Sequence, residues 1–392
     1  MKVLYLTPSV RMMGARVSLR ELLVRIQSYG IEPVVAAPFE GPLTADLRAQ
    51  GVRVAIIRYR NWRKMKYLFL HPFSLRNLRR LAGEERISMV HSNEFWVNPF
   101  GYRIAKALGV PCICHFRCSR GSNLIPPSKL KSYSLHKVDR VIAISRSQLN
   151  VLSFLDLYRV PITVVYNGVD TNRFTPPVDR IGMRRRLGLD PSLPTLGLIG
   201  VISPHKGQLD FITAIKQVRD AGHRVNALIV GSTRDFDYLR QCHAAVSEYG
   251  LGDMVTFMDY RSDIENVFQA LDMHVTPSSE EAFGRVNIEA MASGVPVVGY
   301  WVGGIPEVVT HGRNGLLMSR GQNQLGTTIL QLLQQPERLR EMGEAARMDV
   351  IKRFSMLAYV EGVLKVYREV LAQAGSPLSA DQVGHDSAAG DE

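Results

Sequence analysis

Residues 195–230 read TLGLIGVISPHKGQLDFITAIKQVRDAGHRVNALIV. The first six are continuous and apolar apart from Thr195, and they end on Gly200. A short loop carries Ser203, Pro204, Lys206 and Gly207. From Gln208 to Ala221 the apolar residues Phe211, Ile212, Ile215 and Val218 recur three and four apart, which is the helix period. Val225–Val230 is apolar again apart from Asn226. Strand, helix and strand in this order make a unit whose strands run parallel and are covered on both faces.

The same alternation extends in both directions. Downstream come a helix at Phe236–Tyr249 and short strands at Met254–Phe257, Met273–Thr276, Pro296–Gly299 and Gly315–Met318. Helices are expected at Pro336–Lys352 and Met356–Ala374. Upstream, strands are expected at Val3–Leu6, Pro33–Ala37, Val52–Ile57, Ser88–His91, Pro111–Phe116, Arg140–Ile144 and Ile162–Val165, with helices such as Ser18–Tyr29 and Pro99–Leu108 between them. Asn167–Pro177 (NGVDTNRFTPP) has the composition of a linker between two such halves. The fold class is α/β, with two Rossmann-like doubly wound parallel-sheet domains facing across a cleft. Open sheets of this kind bind ligands beyond the carboxyl ends of their strands.

Composition narrows the function. The chain has 392 residues, 46% apolar and 21% charged, with four cysteines, too few for a disulfide scaffold. No run of 18 apolar residues exists, and Pro8 and Arg11 interrupt any leader-like stretch at the start, so a cytoplasmic protein is expected. The residues from Gly375 are small and polar and read as a disordered tail, 375–392. Residues 1–175 hold 27 Lys and Arg against 10 Asp and Glu; residues 176–392 hold 21 against 26. The first half is therefore +17 and the second −5, so the halves meet different partners.

Two stretches carry chemistry. In the loop Gly200–Gly207, Lys206 stands where a helix begins, and helix N-termini present unpaired N–H groups that suit phosphate. The loop lacks the Walker pattern, and no G-x-G-x-x-G follows the first strand, which excludes the common nicotinamide-binding fingerprint. The second stretch, PSSEEAFGRVNIEAMASGVPVV at 277–298, follows a strand. Glu281 precedes a helix starting near Phe283–Gly284, and Glu289 lies about one and a half turns in. A carboxylate only accepts hydrogen bonds, so two of them eight residues apart can address different hydroxyls of one ligand while the N–H groups between hold phosphates. A simpler role for Glu281, as a partner of the helix dipole, weighs about equally.

The Glu281-x7-Glu289 block, followed by Gly303-Gly304-Ile-Pro-Glu307 and Asn314-Gly315, resembles the retaining family-4 glycosyltransferases of the GT-B fold. MKVLYLTPSV with Gly14, VHSN, HFR, DRVIAISRS, VVYNGVDTNRF and Lys206-Gly207 fall in that family's order, from Met1 to about Ala374. The resemblance implies an N-terminal acceptor-binding domain, 1–170 with a crossover helix 356–374, and a nucleotide-sugar-binding domain, 171–355. It implies that Glu281 binds hydroxyls of the transferred sugar and Glu289 the ribose diol. The backbone of Phe283, Gly284, Arg285 and Val286 would line sugar and diphosphate, and Lys206 would neutralise the leaving diphosphate. His115 would approach the donor sugar, Gly14 would let its backbone close over the phosphates, and Tyr260 and Arg261 would lie near the base. The implied activity moves a hexose-type sugar from a UDP- or GDP-sugar to an acceptor hydroxyl with retention. No metal and no cofactor beyond the substrate is implied.

Two positions depart from the family pattern. Val201 stands where many relatives have an arginine five residues before the lysine; Arg285, Arg117 and Arg16 are the candidates to replace it. Met12-Met13-Gly14-Ala15-Arg16 alters the first loop. A degenerate nucleotide-sugar-binding scaffold is the alternative that Val201 favours, and a same-fold epimerase or phosphorylase is the other.

Residues 58–80 carry eight Arg and Lys, no acid and five aromatics. Such a stretch fits an anionic membrane surface or a saccharide or lipid-linked acceptor, in surface-polysaccharide, lipopolysaccharide or glycolipid synthesis. The bland reading is a solvated loop and a helix with Leu75, Leu78 and Leu81 in the core. No motif supports nucleic acid. Cys112, Cys114 and Cys118 beside His115 have the wrong spacing for zinc and read as core thiols.

Overall fold

The computed structural model describes residues 1–60, 62, 69–118, 126–321 and 324–375. Contacts divide it into two units, residues 1–168 with the helix Met356–Gln373, and residues 169–355. The expected tail lies outside the described residues from position 376 onward.

The first unit holds β1 (Lys2–Leu6), β2 (Glu32–Ala37), β3 (Arg53–Ile56), β4 (Met89–Ser92), β5 (Cys112–Phe116), β6 (Arg140–Ala143) and β7 (Ile162–Val164). They form one parallel sheet in the order β3-β2-β1-β4-β5-β6-β7. Side chains alternate across it, as a period of two requires. Leu4 and Leu6 enter one apolar layer with Phe100, Cys112 and Cys114; Val3 and Tyr5 enter the other with Leu22, Val363 and Tyr367. The helix Met356–Gln373 completes that second layer, burying Tyr359, Val363, Leu364, Tyr367 and Val370.

The second unit holds β8 (Thr195–Ile199), β9 (Asn226–Val230), β10 (Val255–Met258), β11 (Met273–Thr276), β12 (Val297–Tyr300) and β13 (Gly315–Met318). Their order is β10-β9-β8-β11-β12-β13, all parallel. Thr195 to Ile199 pair in register with Asn226 to Val230, so the unit read first from the sequence is the centre of this sheet. Both orders reverse direction once, between β1 and β4 and between β8 and β11, and each unit is Rossmann-like.

The segment expected as a linker, Asn167–Pro177, is tied down rather than free. Val169 is buried and pairs with Ser355, Phe174 is buried, and Arg347 donates to the carbonyls of Thr171 and Phe174 at 2.9 and 2.5 Å. Its Pro and Gly content marks irregular backbone, and the hydrogen bonds that hold it come from a residue more than 170 positions away.

Of the basic stretch, residues 61 and 63–68 lie outside the described residues. The rest contains the helix His71–Glu84, which buries Leu78 and Leu81 and packs Leu75 against the first layer. Trp62 stacks on His71 at 4.4 Å and under the Arg103 guanidinium at 4.1 Å. Phe69 and Phe73 remain 68% and 66% exposed, and Arg76, Arg79 and Arg80 are exposed with them. Among the described residues, no helix is long and apolar enough to cross a membrane.

Candidate active site

In the second unit three loops converge beyond the carboxyl ends of β8, β11 and β12. The loop after β11, residues 277–284, is the middle one. On one side the Ser279 N–H donates to the carbonyl of His205 at 2.9 Å, and a Cβ at Gly207 would stand 2.2 Å from the Pro277 carbonyl oxygen. On the other side the Gly304 N–H donates to the Glu281 carbonyl at 2.9 Å, and a Cβ at Gly303 would stand 1.8 Å from that oxygen. Only residues without a side chain let the outer loops approach so closely. The clamp brings the Lys206 ammonium onto the Glu281 carboxylate, with the two side chains only 21% and 12% exposed.

The helix Arg285–Ala292 begins where this loop ends. Its N-cap is Gly284 at φ 85°, and no side chain caps it. The Asn287 N–H of the first turn donates to the Gly284 carbonyl at 2.9 Å, and the positive end of the helix dipole lies at this loop, which also carries Glu281. Arg285 donates to the Glu289 carboxylate at 2.8 Å, both largely buried. Phe283 is buried against Phe354, which anchors the loop from below. Val286 follows in the first turn. The structure thus brings Lys206, Glu281, Phe283, Gly284, Arg285, Val286 and Glu289 into one neighbourhood. Tyr260 and Arg261 follow β10, the edge strand, two strands from β8; Tyr260 is exposed and Arg261 pairs with Asp263 at 2.6 Å.

The first unit has its own cluster beyond β1, β4 and β5. Gly14, at φ 36°, caps the helix Ala15–Ile26. Arg16 is paired with Glu94 at 2.6 Å, a carboxyl that burial pushes upward and Arg16 pulls back. His115 is fully buried at the end of β5. Arg117 donates to Asn93 at 3.2 Å, Asn167 at 2.5 Å, Tyr359 at 2.6 Å and His115 Nδ1 at 3.3 Å. Arg16 and Arg117 are thus engaged inside the first unit, and of the three candidates for the missing cation Arg285 alone lies in the unit of Lys206. Cys112 and Cys114 sit in the apolar layer, where burial raises both thiols.

In the sequence Gly303 and Gly304 stand in the family-like motif with no role of their own, His91 stands only as the end of a strand within VHSN, and Tyr359 and Tyr367 carry no motif. The two glycines carried a signal, since paired glycines after a strand mark close backbone approach. The tyrosines carried none: they read as helix core.

Comparison with known proteins identifies the family of both halves. Residues 12–173 match the model of Glycosyltransferase Family 4, and residues 179–349 match that of Glycosyl transferases group 1. A D-inositol 3-phosphate glycosyltransferase of Segniliparus rotundus is 32% identical over 86% of this chain and 75% of its own. The lipopolysaccharide core biosynthesis mannosyltransferase LpsB of Rhizobium meliloti is 32% identical over 48% of this chain and 53% of its own. The crystal structure of Anabaena HepE in complex with UDP superimposes with a TM-score of 0.82 over 94% of this chain and all of its own, at 23% identity. Two parallel sheets with the Glu281 loop clamped at the switch point of the second, and both halves matched in order, place the chain among the group 1 glycosyltransferases of family 4, with the GT-B fold.

Proposed function

We propose that this glycosyltransferase moves a hexose-type sugar from a UDP- or GDP-sugar to an acceptor hydroxyl with retention at the anomeric carbon. The observation that carries the reading is the Lys206–Glu281 pair in the loops beside the N-terminal end of the helix Arg285–Ala292. Departure of a nucleoside diphosphate leaves positive charge on the sugar and negative charge on the phosphate. A lysine and a helix N-terminus aimed at the leaving group stabilise it as that charge develops. Glu281 accepts from sugar hydroxyls, Glu289 from the ribose diol, and His115 donates to the sugar. The acceptor proton goes to the leaving phosphate on the same face, so no separate base is assigned and the two glutamates are not an acid/base pair. Binding of UDP by HepE, a neighbour in fold, is in line with a uridine donor.

The acceptor is a saccharide or a lipid-linked molecule in surface-polysaccharide or glycolipid synthesis, reached at an anionic membrane face. The exposed Phe69 and Phe73 beside Arg76, Arg79 and Arg80 support that face, because aromatics suit the headgroup zone and each cation adds about 1 kcal/mol near an anionic leaflet. No cofactor is assigned.

A panel of UDP- and GDP-sugars in a thermal-shift experiment, followed by slow nucleotide release from the best binder, tests the reading. The expected result is stabilisation by one base class and release of its diphosphate. Stabilisation without release would favour the scaffold that Val201 suggests, and neither would remove the donor site.

A further inference from the structure

Behind His115 a line of polar groups runs through the apolar interior of the first unit. His115 Nδ1 is 3.2 Å from His91 Nε2; His91 Nδ1 is 2.6 Å from the Tyr367 hydroxyl; that hydroxyl is 2.7 Å from the Tyr5 hydroxyl. All four side chains are buried. The imidazoles stack at 5.3 Å. Burial, reinforced by the nearby Arg117 charge, pushes both imidazoles below their ordinary range, His91 to about 3, so each ring carries one proton.

Where those protons sit follows from Arg117. A guanidinium has five N–H donors and no acceptor. Its Nη2 lies 3.3 Å from His115 Nδ1, so that nitrogen accepts and the proton of His115 is on Nε2. His91 Nε2 faces the same lone pair and must donate to it. His91 Nδ1 is then bare and accepts from Tyr367, whose oxygen accepts from Tyr5. Every contact has one donor and one acceptor in this arrangement. In the reverse arrangement the His115 Nδ1–H would point at an Arg117 N–H. The Arg117 guanidinium is itself held by Asn93, Asn167 and Tyr359.

We infer that Arg117 is a positioning residue which, with His91 and Tyr367 behind it, locks His115 as the Nε2–H tautomer and so presents a hydrogen-bond donor rather than an acceptor. Nε2 is the ring nitrogen of His115 that has no partner among the described residues. Its consequence for transfer rests on the reading of His115 as the group that meets the donor sugar. A sugar hydroxyl can accept from it, and a group able only to donate is refused.

Histidine-selective 15N labelling of the full chain, read by long-range 1H–15N correlation, tests this directly. His115→Ala and His91→Gln identify the two rings. We expect both rings to be Nε2–H with bare Nδ1 in the native protein. Because they share one hydrogen bond, their tautomers change together: Arg117→Leu should bring an Nδ1–H signal on both rings to the same extent. An Nδ1–H signal on either ring of the native protein, which needs no variant to fold, overturns the inference. So do two unchanged rings in a folded Arg117→Leu protein. Native donor turnover in His115→Ala would instead remove the sugar contact and leave the tautomer result standing.

Discussion

Lys206 and Glu281 are 75 residues apart and share a partly buried hydrogen bond. Removing either leaves the other charge without its partner beside the helix N-terminus, which is the state that costs most. Lys206→Ala and Glu281→Ala are each expected to lower turnover at least tenfold, about 1.4 kcal/mol, measured as nucleotide release from the donor found in the thermal-shift panel. Native rates in both would remove the assignment. Gly303 gives a second prediction. Its φ is 52° and an added Cβ would overlap the Glu281 carbonyl, which is backbone and cannot swing aside. Gly303→Ala should cost about 2 kcal/mol or more, seen as a lower Tm, and should weaken donor binding as the Glu281 loop shifts. An unchanged Tm would mean that the loops are not clamped as described.

At the scale of elements, the helix His71–Glu84 separates two roles that one sequence pattern had joined. Leu78 and Leu81 belong to the core, whereas Phe69 and Phe73 face out with the arginines. Phe73→Ser is therefore expected to leave the unfolding free energy within about 0.5 kcal/mol of native and to lower co-sedimentation with anionic vesicles. Leu78→Ala should do the reverse and cost about 2–5 kcal/mol. Equal sedimentation of native protein with neutral and anionic vesicles would remove the membrane reading. The helix Met356–Gln373 shows how far an element can act from its place in the chain: it closes the layer over β1 and brings Tyr367 to His91.

The two units differ in their response to acid. His91 and His115 lie in the first and His274 in the second, and burial lowers all three, His274 to about 4. In the unfolded chain each would bind a proton near pH 6.5. The unfolded state thus holds more protons below that pH, so stability is complete above about 6.5 and is lost as the pH falls toward the folded values. Each histidine contributes a slope of up to about 1.4 kcal/mol per pH unit in that window, and the first unit carries His91 and His115 together with His71 and His136, which burial also lowers. Trp62 and Trp96 report on the first unit and Trp301 on the second. The urea midpoint followed by tryptophan fluorescence should fall steeply between pH 6.5 and pH 5, and a flat midpoint would mean that these imidazoles are not held neutral.

Periodicity in the chain was enough to determine the thirteen strands of the described residues and the doubly wound class, because burial on both faces leaves its mark on successive residues of the interior strands. Boundaries shifted by a few residues at most: the first helix runs Ala15–Ile26 rather than Ser18–Tyr29, and its last turn tightens. The loop–helix placement of Glu281 and Glu289 was also legible, since both lie within one short segment. What the chain order could not express is which distant groups share a hydrogen bond. The pairing of Lys206 with Glu281, the clamp by Gly207 and Gly303, the capture of Arg117 by Asn167 and Tyr359, and the line from Tyr5 to His115 all join residues on different elements. A local pattern records how a side chain is buried; only the packed sheets and their covering helices decide what it is buried against.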